Sequence, residues 1–323
     1  MLVRSVLNRI GHRRKEVLCG PAVGADCAAL SDASGEVWLL SSDPITGAVQ
    51  GIGAHSIHIT ANDLAAAGAE PVAVMLTLLL PPETTEEEVS GMMQDAETVC
   101  AQLQMEILGG HTEITPVVSQ PVISVTGIGK CRKEDLLKAE NVQPGMDLVV
   151  SKWIGLEASA ILARERASVL HGKIPEDMIT EAASFSSYLS VVPEAAAAKK
   201  CGAVWMHDIT EGGILGALWE VAEAGKIGEE IDLTAVPVRE ETKKICEAFS
   251  IDPMRVMSSG SLLMITKDGR KLAEELQKQG IPAAVIGKTT ENPARILHCC
   301  GTVSELKPPE PDALYKALQT DIR

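Results

Sequence analysis

The chain has 323 residues, 46% of them hydrophobic and only 2% aromatic, with a formal net charge of −15. That length suffices for two ordinary domains and a sizeable core. The missing aromatic rings argue against stacked-base recognition, and the negative balance argues against nucleic acid as a partner, since phosphate backbones are held by basic surfaces.

Residues 1–17 are basic and amphipathic and read as a short surface helix; they lack the apolar run of a signal peptide. No stretch approaches the roughly 18–20 apolar residues of a membrane span, so no membrane association and a cytoplasmic location are expected. Eight dispersed cysteines without a CxxC pair suit a reducing cytosol, and Cys299-Cys300 is an adjacent pair near the end.

In chain order, residues 37–41 read as a strand delivering Asp43 at its end. Residues 52–67 read as a helix closed by Gly68 and Pro71. The apolar run 72–80, followed by Pro81-Pro82, reads as a buried strand. Thr85 and Glu88 have capping-box spacing. They open a helix with an apolar stripe of Val89, Met92, Met93, Ala96, Val99, Cys100 and Leu103. A short strand enters Gly109-Gly110, and 121–128 is another. The charged segment 130–145 marks a junction between domains 1–140 and 141–323. Beyond it, strands are expected at 147–151, 203–206, 262–266 and 283–286. Helices are expected between 156 and 200, at 213–224 and at 268–278. The alternation gives an α/β (α+β) fold class.

Several polar motifs punctuate this pattern. Gly24-Ala25-Asp26 is either a simple turn or a turn that presents a carboxylate. Ser42-Asp43 stands at a strand end, where ligand groups collect in open α/β sheets. His55, Asn62 and Asp63 share a helical face, in a segment whose alanines let it lie close to a backbone or a nucleotide. Gly109-Gly110 before His111 suits either a bulge or close approach to phosphate. The run from His207 through Asp208 and Thr210 to Gly212-Gly213 leads a strand into a helix N-terminus, which favours anions; Asp208 or Thr210 serve equally as caps. Ser258-Ser259-Gly260-Ser261 is either a polar loop or a set of donors. Gly287-Lys288-Thr289 looks like the end of a P-loop, but Pro282 stands where its first glycine is required. A nucleotide bound here therefore requires acids that hold magnesium.

The ordered series GADCA, SSD, NDLAAAGAEP, GGHTE, PVISVTGIG and HDITEGG resembles the AIR synthase (PurM-like) superfamily over nearly the whole chain. Its look is closest to the HypE-like and AIR synthase-related branch. The resemblance implies a two-domain PurM-like fold, with the N-terminal domain forming a β-barrel across a homodimer and a C-terminal α/β domain. It implies ATP and Mg²⁺ as cofactors, with Asp26, Asp43 and Asp63 as metal ligands. Asn62, Gly109, Gly110 and His111 would line the nucleotide beside those acids. His207, Asp208 and Thr210 would face a small-molecule substrate. Relatives commonly carry Asp or Glu where this chain has His111. HypE carries its reactive cysteine at the extreme C-terminus, whereas here Cys299-Cys300 lie well upstream of Arg323. The implied function is a Mg-ATP-dependent enzyme that phosphorylates an oxygen of its substrate. The alternative is a nucleotide-binding homodimer that serves as a maturation or assembly partner with little turnover of its own.

Overall fold

The computed structural model describes residues 9–31, 34–46 and 51–319. The chain divides into two compact units, Met1–Leu136 and Leu137–Arg323.

Among its described residues, the first unit is one sheet with two α-helices. Its strands are β1 (Val17–Cys19), β2 (Ala28–Ser31), β3 (Glu36–Ile45), β4 (Glu70–Leu80), β5 (Glu106–Ile114) and β6 (Val122–Arg132), in spatial order β1-β2-β3-β6-β4-β5. Only β4 and β5 pair in parallel. Helices α1 (Ile52–Ala66) and α2 (Glu86–Leu103) make the connections before and after β4. The capping box at Thr85 and Glu88 is present, each residue bonding the other's backbone N–H.

β3 runs past the expected 37–41 because its full length pairs with β6, from Glu36 opposite Arg132 to Ile45 opposite Ile123. Ser42 and Asp43 therefore lie inside the strand. The extension is masked in sequence because the inward positions change character, from Val37 and Leu39 to Ser41 and Asp43. Helix α1 covers that face, burying Ile57, Leu64 and most of its circumference. Full burial of side chains such as these contributes about 1.5–3 kcal/mol each. Close approach of α1 depends on Gly127 of β6, opposite Ser41: a Cβ there would lie 2.3 Å from Thr60 Cγ2.

The surface helix expected over 1–17 lies outside the described residues for its first eight positions. From residue 9 to β1 the chain is irregular. Gly11 interrupts it, and Arg13 and Arg14 bond local carbonyls and Glu16.

The second unit is a seven-stranded sheet under helices. β7 (Asp147–Ser151), β8 (Trp205–Asp208), β9 (Gly228–Asp232), β10 (Leu262–Thr266), β11 (Ala283–Thr290), β12 (Arg295–Cys299) and β13 (Thr302–Glu305) lie in the order β13-β12-β9-β11-β7-β10-β8. Only β12 and β9 are parallel. The helices are α3 (Leu156–Glu165), α4 (Ala167–Leu170), α5 (Glu176–Ala183), α6 (Val192–Lys200), α7 (Gly213–Gly225), α8 (Glu240–Phe249), α9 (Gly269–Lys278) and α10 (Ala313–Gln319). One core packs Leu148, Val150, Leu263 and Ile265 of the sheet against Ile214, Leu218 and Val221 of α7. A second gathers Leu162, Phe185, Ile245 and Leu314. Gly287-Lys288-Thr289 lies within β11 and forms no phosphate loop. Among the described residues both sheets are open, and no helix is long and apolar enough to cross a membrane.

Several ionisable groups are buried in this unit, among them Lys152 and Glu229. Lys152 places its ammonium 2.6 Å from Glu194 and donates to the carbonyls of Tyr188 (2.8 Å) and Ser190 (2.6 Å). Burial pushes its pKa below the usual lysine range. Glu229 of β9 is fully buried, and neither carboxyl oxygen has a hydrogen-bond partner among the described residues. Burial pushes its pKa up to about 8, opposed by the charge of Arg295.

Candidate functional site

Each unit carries a polar cluster built on a strand. In the first, α1 lowers Asn62 and Asp63 onto the inward face of β3, where both are buried. The Ser41 hydroxyl lies 3.0 Å from Asp43 Oδ2 and also bonds Asp63 Oδ2 across the helix–sheet contact. Asp43 and Asp63, far apart in sequence, thus converge on one side chain. Asp26 is exposed, two residues before β2. Since Ala28 of β2 pairs antiparallel with Leu40, the chain at Asp26 runs toward the Ser42–Asp43 stretch of β3. His55 is half-buried on α1.

Gly109 and Gly110 are not a turn after a strand; they lie within β5, the strand at the edge of the sheet. The pairing with β4 slips by one residue there, from Val74 opposite Ile107 to Met75 opposite Gly109. Leu108 is the extra residue of a β-bulge. Both glycines have positive φ (138° and 150°), and a Cβ on Gly110 would lie 1.7 Å from the Leu76 carbonyl oxygen. Gly110 permits this close strand pairing, while at Gly109 only the positive φ favours glycine. His111 follows with its side chain 67% exposed and Nε2 3.9 Å from a Glu113 oxygen.

In the second unit, His207 and Asp208 are the last residues of β8 rather than of a following loop, and both are buried. Their ligand atoms approach within 4.8 Å of each other. His207 stacks on Trp205, ring centroids 6.5 Å apart, and its Nε2 lies 2.9 Å from Glu220 Oε2 on α7. A carboxylate only accepts, so this contact places the ring proton on Nε2. Thr210 is half-buried in the turn into α7 and receives the Gly213 N–H on its carbonyl at 3.1 Å. The Gly212 N–H goes to Asp312 Oδ2 at 2.8 Å, and Asp312 Oδ1 caps α10 by accepting from Leu314 N–H at 2.8 Å. The first two donors of the glycine turn are therefore engaged within the protein. The Asp312 carboxyl is held above its usual pKa range by burial, against the backbone N–H groups that bond it.

Three members of these clusters escape a reading of the sequence. Ser41 is signalled only by its place in the inward alternation of β3. Glu220 and Asp312 carry no local signal, since their partners are distant in the chain.

Comparison with known proteins places these features in a family. The model for the N-terminal domain of AIR synthase related proteins matches residues 24–131, and that for their C-terminal domain matches 143–299. A putative hydrogenase expression/formation protein of Methanocaldococcus jannaschii is 29% identical over 74% of this chain and 70% of its own length. The carbamoyl dehydratase HypE of Rhizobium leguminosarum bv. viciae is 25% identical over 73% of this chain and 67% of its own. Among solved structures, a HypE–HypF complex aligns with a TM-score of 0.79 at 19% identity, covering 95% of this chain and 99% of that one. A hydrogenase maturation protein HypE in complex with ATP aligns with a TM-score of 0.72 at 20% identity, covering 96% and 91%. These structures share the fold, and the two domain models together span most of the sequence. The chain belongs to the AIR synthase-related family.

Proposed function

We propose that this protein is a Mg²⁺-dependent enzyme that uses ATP to phosphorylate, and so activate, an oxygen of a small substrate. The observation that carries the reading is the hydroxyl shared by Asp43 and Asp63. Ser41 has one proton for two carboxylates. At any moment one of the acids lacks that hydrogen bond, and their like charges repel. A hard cation beside them relieves the repulsion, and oxygen donors together with substrate phosphates are the set that Mg²⁺ takes. Asp26, Asp43 and Asp63 would hold the ion, which when bound neutralises charge on the transferring phosphate.

The remaining assignments follow from the chain's own groups. Asn62 and the Gly109–His111 stretch line the nucleotide. His207, oriented by Glu220, accepts a proton at Nδ1, while Asp208 and Thr210 position the substrate. ATP use is also supported by the relatives named above, one a carbamoyl dehydratase and one solved with ATP.

The same reading includes a homodimer that completes a barrel through the edge of the first sheet. In its favour, Met75, Leu108 and Ile114 expose 46%, 55% and 61% of their surface along β4 and β5, an apolar edge suited to pairing with a second copy. Its location is proposed to be the cytoplasm, which suits eight free cysteines. A second reading, a nucleotide-binding maturation partner with little turnover, is favoured by the HypE–HypF complex.

The test is thermal unfolding with ATP, with and without Mg²⁺, followed by ATP consumption across a panel of amide, carbamoyl and phosphate acceptors. Mg²⁺-dependent stabilisation and acceptor-dependent consumption are expected. No Mg²⁺-dependent shift sinks the enzyme reading; consumption that requires a protein partner selects the second.

A further inference from the structure

The hairpin between β12 and β13 carries two thiols that the clusters above do not use. Cys299 pairs with Thr302 across the ladder, leaving Cys300 and Gly301 as a two-residue turn. Both turn residues have positive φ, 49° and 81°. That is the pattern of a type I′ hairpin, where Asn or Gly fits with least strain. Successive side chains on a strand point to opposite faces. Here the turn instead brings the two exposed sulfurs to 4.0 Å. They line a hollow of about 440 Å³ together with His298, Asp232 and Thr234. His298 Nε2 lies 3.1 Å from Glu230 Oε1. A carboxylate so placed fixes the imidazole tautomer and leaves the other ring nitrogen as a donor, the arrangement that supports metal-bound histidines.

We propose that Cys299 and Cys300 form a two-thiolate site for a soft, thiophilic metal ion, in a hollow that His298 and Asp232 also line. Zinc–thiolate bonds of about 2.3 Å make sulfurs 4.0 Å apart subtend about 120° at the ion, so the two thiolates can grip one ion with little rearrangement of their own. Binding exchanges two S–H bonds for two S–metal bonds and releases two protons to solvent.

The experiment uses Cd²⁺, a spectroscopically visible stand-in for Zn²⁺, added to the fully reduced full-length chain. Thiolate-to-metal charge transfer is followed in the ultraviolet. One equivalent is expected to bind, to be displaced by excess Zn²⁺, and to weaken at least tenfold in Cys299→Ser and in Cys300→Ser. Both side chains are exposed, so the metal-free variants are expected to unfold at the wild-type temperature, which separates a lost ligand from a lost fold. The absence of a charge-transfer band in the wild type overturns the proposal. So does a band of full amplitude and affinity in Cys299→Ser/Cys300→Ser, which would assign the ion to other thiols.

Discussion

Ser41 on β3 and Asp63 on α1 are hydrogen-bonded across the buried contact between helix and sheet. The acid proposed as a metal ligand is therefore held by the same packing that builds the core of its unit. Asp43 approaches the same hydroxyl from along the strand, so the pair is positioned by one helix, one strand and the glycine that lets them meet.

Asp63→Asn keeps the shape of the side chain and removes its charge. Affinity for Mg·ATP, measured by calorimetry, is expected to fall about 10- to 100-fold, as for loss of one charged contact. The melting temperature without nucleotide is expected to hold or rise slightly, because the repulsion with Asp43 is gone. Unchanged affinity would remove Asp63 from the site.

Gly127→Ala tests the packing itself. The added methyl meets Thr60 Cγ2 at 2.3 Å, and Leu64 lies close behind. A destabilisation of about 1–3 kcal/mol in urea unfolding is expected, as for other overpacked cores. Thr60→Ser deletes the clashing methyl, so the double variant is expected to regain much of the loss. Simple additivity of the two changes would mean that the clash is relieved by another route.

Glu229 makes stability depend on pH in a defined direction. Its folded pKa is about 8, above the usual 4.5, so the folded state keeps a proton that the unfolded chain loses. Stability from this group is full below about pH 4.5, declines as pH rises toward 8, and then levels. Glu229→Gln fixes the neutral form. The variant is expected to match the wild type near pH 5 and to exceed it by a few kcal/mol at pH 8, each pKa unit being worth about 1.4 kcal/mol. Parallel pH profiles for the two proteins would show that the acid is ionised when folded.

Lys152→Met leaves Glu194 buried opposite a thioether and two carbonyls without their donor. Breaking a buried pair from one side costs about 3–5 kcal/mol. Lys152→Met/Glu194→Gln is expected to recover part of that, read from urea midpoints. A single variant within 1 kcal/mol or so of the wild type would mean that the pair is dispensable.

Much of this arrangement is legible in the sequence, and the gaps have physical causes. The capping box at Thr85 and Glu88 and the small-residue helix around Asn62 and Asp63 are local signals, and both stand as expected. Strand ends fared worse. β3 and β8 continue through residues that read as loop, because Asp43 and His207-Asp208 are polar yet keep the ladder of their partners β6 and β10. Of the two readings of Gly109-Gly110, the bulge is present, and β4 passes too close to Gly110 for a side chain. Strands β1, β2, β9, β12 and β13 lie outside the expected set: the first two are only three and four residues long, and Gly228-Glu229-Glu230 and the exposed hairpin lack apolar alternation. The Ser41, Glu220 and Asp312 contacts depend on side chains meeting across the fold, which no window of sequence contains.

Asp312 has a practical consequence for anyone handling this protein. One of its oxygens starts the last described helix and the other fastens the turn that opens α7, while Tyr315 donates to Glu211 in that same turn. The tail is thus spliced to the doorway of the second polar cluster. Truncating or loading α10 is therefore expected to loosen the Gly212 turn as well as the helix itself.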